Sequence, residues 1–107
     1  LKYKIYIIDD AEEDIYEIYH YVSLSDSIEK VESLIQKIYE TCLKLGTLPN
    51  RGHAPPELER IGMLEYREIH FKPYRIIYQV MENVVYIHCV LDGRRDLQEL
   101  LEMRLIR

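Results

Sequence analysis

The chain has 107 residues, enough for one domain around one core, and 48% of them are hydrophobic, which excludes a disordered chain. No apolar run approaches the roughly 18–20 residues that a bilayer span requires. The formal net charge of −5 argues against strong non-specific binding to nucleic acid, which depends on many Lys and Arg contacts to phosphate.

The charge is unevenly spread. Residues 1–48 hold 5 Lys+Arg and 10 Asp+Glu, whereas residues 49–107 hold 9 of each, so all the excess acid is N-terminal. Leu1 to Ile8 has no signal-peptide layout, because Lys2 and Lys4 interrupt the apolar residues and acid follows at once. The expectation is a cytoplasmic protein with one domain spanning 1–107 and no membrane contact.

Lys2 to Ile8 alternates, with Tyr3, Ile5 and Ile7 on one face, and predicts a strand. Asp9 or Asp10 then stands where a helix N-cap belongs, and Glu12, Glu13 and Asp14 fill a first turn that favours anions. Ile15, Ile18, Tyr19 and Val22 continue that helix at spacings of three and four. A polar break, Ser23 to Ser27, precedes a longer helix that Ser25 or Asp26 can cap. Its stripe is Ile28, Val31, Ile35, Ile38, Cys42 and Leu45, widened by Leu34 and Leu43, with Gly46 as the C-cap. Two such helices can pack as an antiparallel hairpin and present one apolar face to a sheet.

Thr47 to Met63 is rich in Pro and Gly and reads as a long loop within the domain, with one helical turn near Glu57 to Arg60. Leu64 to Phe71 is the second strand, Pro73 marks a turn, and Arg75 to Met81 is the third. Glu82-Asn83 makes a two-residue connection in which Asn can supply a positive φ. Val84 to Leu91 is apolar on both faces, as in a central strand covered on both sides. Asp92-Gly93 stops it, and Leu97, Leu100, Leu101 and Met103 mark a short terminal helix. The order β-α-α-β-β-β-α predicts an α+β fold, a helix hairpin on one face of a mainly antiparallel four-stranded sheet.

Cys42 and Cys89 sit inside apolar periodic segments and read as reduced core thiols. The four histidines have no spacing that suggests a metal site, and no cofactor is indicated. His70 and His88 could act as acid or base, histidine being the residue type suited to that work near neutral pH, although strand histidines commonly just pack; His20 and His53 have weaker claims. Arg67, Lys72 and Arg75 could form a basic strip on the sheet face away from the helices, with Glu65 and Glu68 close enough to neutralise much of it. Arg94 and Arg95, one turn beyond a strand end, can meet an anion or pair with Asp92 or Asp96. An apolar surface around Ile77, Val84, Tyr86 and Val90 is expected on the far side of the sheet, where a partner could dock.

Element order, the run Tyr74-Arg75-Ile76-Ile77-Tyr78 and the run Gly93-Arg94-Arg95-Asp96-Leu97 together resemble the RelE/ParE superfamily, toxins of bacterial type II toxin–antitoxin and plasmid-stabilisation systems. The resemblance implies a small antitoxin as partner; the chain itself shows no helix-turn-helix pattern or strong basic face, so no direct DNA binding by the toxin alone is expected. A ParE-like member would inhibit DNA gyrase by protein–protein contact, with no chemistry of its own, through candidates Arg67, Lys72, Arg75, Ile77, Tyr86, Arg94 and Arg95. A RelE-like member would cut messenger RNA on the ribosome, with Arg67, Arg75, Arg94, Arg95 and His70 as the available groups. Leu97–Arg107 lacks the Tyr or His that this branch often carries there. A member without a target, binding only its antitoxin, is a third possibility.

Overall fold

Ile5 and Ile7 turn inward while Lys4 and Tyr6 stay exposed along the first strand, β1 (Lys4–Ile7), in a computed structural model that describes residues 2–106. The chain enters α1 (Asp9–Ser23) without a side-chain cap. Ile8, and not Asp9 or Asp10, holds the N-cap position, because its N–H is still paired with Ile87 O (3.1 Å) as the strand ends. Asp9, Asp10 and Glu12 keep their favourable place in the first turn. Ser27, one or two residues later than expected, caps α2 (Ile28–Leu43), its hydroxyl accepting from Lys30 N–H at 3.4 Å. Along the α2 stripe Val31, Ile38 and Cys42 are buried, but Ile28 and Leu43, at the two ends of the helix, overhang the core and are exposed.

A 3₁₀ turn, Lys44–Gly46, follows α2, so Gly46 does not cap the α-helix. Its role is close approach. Gly46 O accepts from Tyr3 N–H at 2.7 Å, and a Cβ on Gly46 would stand 3.3 Å from the Tyr3 carbonyl oxygen. The loop beyond carries α3 (Pro56–Glu59), then come β2 (Tyr66–Phe71), β3 (Tyr74–Met81), β4 (Val84–Asp92) and α4 (Gln98–Leu105). In the β3–β4 turn the positive φ falls on Glu82 (57°), the first turn position, and not on Asn83.

The strands form one sheet in the order β1-β4-β3-β2, with β1 parallel to β4 and the other two pairings antiparallel. The sheet is therefore mixed. Val84–Asp92 is central, as its two-sided apolar character required. A bulge adds a reason that alternation alone hides: Ile77 pairs with Cys89 and Tyr78 with Ile87, leaving His88 as the extra residue. Val85 and Ile87 before the bulge join Ala11, Ile15, Ile38, Cys42 and Tyr78 in the core under the helix hairpin. Cys89 and Leu91 after it join Ile77, Leu58, Leu97 and Leu101 under α3 and α4.

The expected open patch on the far face is corrected by that second core. Ile77 is fully buried beneath α3 and α4, and Val90 is buried under the hairpin on the other side. Only the outer end stays partly open, where half-buried Tyr86 meets Tyr6 edge-on with ring centroids 5.9 Å apart. Cys42 and Cys89 are buried and not in a disulfide, and burial pushes the Cys42 thiol up to about 12. Among the described residues, no helix is long and apolar enough to cross a membrane.

Candidate functional site

The β2–β3 register decides which cations can meet. Phe71 lies opposite Tyr74, His70 opposite Arg75, Glu68 opposite Ile77 and Arg67 opposite Tyr78. Partners across an antiparallel pair share a face. Glu68, His70 and Arg75 therefore project to the α3/α4 side, while Arg67 shares the hairpin side with Tyr78. The predicted strip of Arg67, Lys72 and Arg75 does not form. Arg67 instead donates to the carbonyls of Asn50 (2.9 Å) and Gly52, tying the long loop to β2. Its Nε is buried with no hydrogen-bond partner.

The loop then returns along β2. His53 and Glu68 exchange both backbone hydrogen bonds, His53 N–H to Glu68 O at 3.1 Å and Glu68 N–H to His53 O at 2.7 Å. This isolated bridge sets His53 beside Glu68 and aims α3 across the sheet, which brings Glu57 to Arg75. Sequence reasoning placed Glu65 and Glu68 as the neutralising acids and missed Glu57.

Arg75 is held by two carboxylates. Its Nη1 and Nη2 each donate to one Glu57 oxygen at 2.7 Å, and its Nε donates to Glu68 Oε1 at 2.6 Å. Glu68 is 2% exposed and the Arg75 side chain 14%. Hydrogen bonds from Arg75 hold the Glu57 carboxyl below its usual range, and those same bonds raise the Arg75 guanidinium. Two carboxylates on one guanidinium leave the group with a net negative charge.

Gly93 rides over the stem of this arginine. Its N–H donates to Pro73 O at 2.8 Å, and a Cβ there would come within 2.9 Å of Arg75 Cγ and Cδ. The turn so placed completes a hollow of about 500 Å³, lined by His53, Glu68, His70, Lys72, Arg75 and Arg94 among others. Arg94 is 70% exposed. It meets Asp92 in its own turn, Nε to Oδ1 at 3.0 Å and Nη2 to Oδ2 at 2.7 Å, which lowers the Asp92 carboxyl to about 2.

Arg95 points the other way. Its exposed side chain lines a second hollow of about 510 Å³ with Asp14, Glu17, Tyr21, Tyr74 and Asp92. Among the described residues it has no carboxylate within 4.0 Å, so neither Asp92 nor Asp96 holds it in an ion pair. Asp14, read from the sequence as one of several first-turn acids, is buried at the floor of this region. It accepts from Val90 N–H at 2.9 Å and from both Arg104 Nη atoms, at 3.1 and 3.0 Å. The second of these also donates to the carbonyl of the bulged His88 at 2.9 Å. His88 itself packs edge-on against Tyr66 and contacts Gln79, and burial lowers its pKa. It is a packed histidine outside both hollows.

Residues 5–97 match the profile of the ParE toxin of type II toxin-antitoxin system, parDE. The chain belongs to this ParE toxin family, within the RelE/ParE superfamily, and is a toxin of the type II toxin–antitoxin class. Its fold is shared by a chain of the chromosomal ParDE TA system from P. aeruginosa, with TM-score 0.72, 18% identity, and coverage of 85% of this chain and 96% of that one. The toxin-antitoxin complex RelBE2 from Mycobacterium tuberculosis gives TM-score 0.64, 16% identity, and coverage of 86% and 92%. E. coli toxin RelE, as a mutant with two arginine-to-alanine changes in the free state, gives 0.65, 14%, and coverage of 100% and 98%. Among curated proteins, none matches the sequence.

Proposed function

We propose that the chain is a ParE-like toxin that inhibits DNA gyrase by protein–protein contact, presenting the turn Asp92-Gly93-Arg94-Arg95, and that a cognate antitoxin protein neutralises it. The supporting observation is how the cations are divided. Arg67 is committed to loop carbonyls and Arg75 to Glu57 and Glu68, so two of the arginines an endonuclease would need are spent inside the fold. Arg94 and Arg95 stay on the surface, each beside its own hollow. Exposed arginines flanked by concave surface suit a contact with a macromolecule, where guanidinium groups are frequent anchors. Purified protein is expected to block supercoiling by gyrase and to accumulate cleaved DNA. Untouched supercoiling at large molar excess of folded protein would falsify the proposal.

A RelE-like endonuclease is the second reading, favoured by one observation. His53 and His70, able to serve as acid and base, line the same hollow as Lys72 and Arg94. Cleavage of a transcript on translating ribosomes, abolished by His70→Ala and by Arg94→Ala, is the result this reading requires.

A further inference from the structure

Donor groups from the long loop and from β2 converge at the rim of the first hollow. His53, Glu68 and His70 each offer one atom, and these atoms all lie within 4.8 Å of one another. His70 Nε2 is 3.5 Å from Glu68 Oε1, and His53 Nδ1 is 3.7 Å from Glu68 Oε2. We propose that these residues form a binding site for a divalent transition metal of the zinc class, with one coordination position open to the hollow. Geometry and donor chemistry carry this site, whichever target the toxin attacks.

The separations are longer than hydrogen bonds and lie in the range of ion pairs, and the two imidazoles meet edge-on with ring centroids 5.3 Å apart. Both separations from Glu68 exceed the ~2.7–3.2 Å of a normal N–H···O hydrogen bond, so the imidazoles do not simply satisfy the buried carboxylate. A tetrahedral metal with ligand distances of ~2.0–2.2 Å holds neighbouring ligand atoms roughly 3.3–3.6 Å apart. The two separations run to different oxygens of Glu68, and one donor atom from each of the three residues lies within 4.8 Å of the others. The imidazoles are 60% and 43% exposed, so side-chain rotation can bring both onto one metal.

The backbone is fixed where ligands need it fixed. His53 and Glu68 are locked by their reciprocal bridge, and His70 follows two residues along the same strand face. Glu68 retains capacity for a metal because each carboxylate oxygen has two lone pairs and Arg75 takes one on each, at 2.6 and 3.2 Å. Arg75 thereby orients the carboxylate, as the hydrogen-bonded partners of metal ligands commonly do. Glu57, Glu68 and Arg75 together carry one negative charge, so a divalent cation does not meet net repulsion from them. His53 Nδ1 also lies 3.1 Å from Ala54 O. That contact belongs to the Nδ1–H tautomer, and the Nε2–H tautomer frees Nδ1 for the metal.

Two imidazoles and a carboxylate suit zinc or its neighbours in the first transition series better than calcium or magnesium, which prefer all-oxygen sets. Three protein ligands leave room for water or an anion, and Lys72 and Arg94 on the same hollow favour an anion.

The test uses tag-free, chelator-treated protein titrated with Zn²⁺ by calorimetry and with Co²⁺ by visible absorption. The expected result is about one equivalent bound, a tetrahedral cobalt spectrum, and a rise in melting temperature with added Zn²⁺. His53→Ala and His70→Ala should each weaken binding by at least about tenfold, the lower range for loss of even an orienting partner. His20→Gln, on α1, should leave it unchanged. Because Glu68→Gln also strips Arg75 of a partner, the deciding variants are those of the two exposed histidines, which should melt as the metal-free parent does. Failure of Zn²⁺ or Co²⁺ to bind at large molar excess, or binding that survives the His53→Ala/His70→Ala double change, would overturn the site.

Discussion

Arg75 and Arg94 line the same hollow, and their sequence surroundings gave them similar claims to function. Their physical situations are opposite. Arg75 is enclosed, with a carboxylate on each side of its guanidinium, and Arg94 is a surface side chain paired within its own turn. A charge taken from water must be met by opposite charge and hydrogen bonds, whereas an exposed pair is weakly bound because water competes. Arg75 thus acts as a fastening between β2, β3 and α3. Arg94 can exchange Asp92 for another anion at little cost.

The comparison breaks most sharply at Arg75. Arg75→Ala leaves Glu57 and buried Glu68 without their cation and should cost about 3 kcal/mol, the lower end for a broken buried pair because one side opens to the hollow. Urea denaturation followed by circular dichroism checks it, and an unchanged midpoint would return Arg75 to the set of functional cations. The Arg94→Ala/Arg95→Ala double change should instead keep the parent midpoint while weakening the proposed inhibition of gyrase roughly tenfold or more, as for loss of interface anchors. Loss of stability there would mean that the turn is architectural after all.

Smaller effects sharpen the same contrast through pH. The folded-state pKa of Glu57 lies below its ordinary 4.5, chiefly through its hydrogen bonds from Arg75. Its contribution to stability is present above pH 4.5 and is lost as pH falls through the lower folded value. Glu57→Gln should therefore flatten the acid limb of a stability–pH curve. His88 behaves as a base whose charged form is disfavoured by burial, so its folded pKa lies below 6.5. Stability should decline as pH drops from 6.5 toward that value, and His88→Gln should remove the decline.

Much of this fold was legible because its elements obey their periods. The α2 stripe and the alternation of β1 both announced themselves, and Pro56–Glu59 fell where a helical turn was expected. The caps were misplaced by one or two residues: Ser25, Asp26 and Ser27 are all competent caps, and at α1 the strand pairing of Ile8 sets a start that no cap preference selects. The faces of Arg67 and Arg75 could have been read correctly: a two-residue turn at Lys72-Pro73 places 70 opposite 75 and 67 opposite 78, on different sides. The bulge at His88 had no such signal, because Val84 to Leu91 is apolar in either register. His53 and Glu57 were beyond reach for another reason. Only the bridge from the loop back to β2 brings them to the site, and nothing local specifies that return.

The tie from Asp14 to Arg104 has a temporal side. During synthesis the first helix emerges long before the guanidinium it needs, and β1 likewise waits for its partner residues 84–87 in β4. Until then a carboxylate destined for the interior stays hydrated, and the hairpin cannot settle on a sheet still incomplete. The interior around Asp14 can therefore be completed only once Arg104 is available.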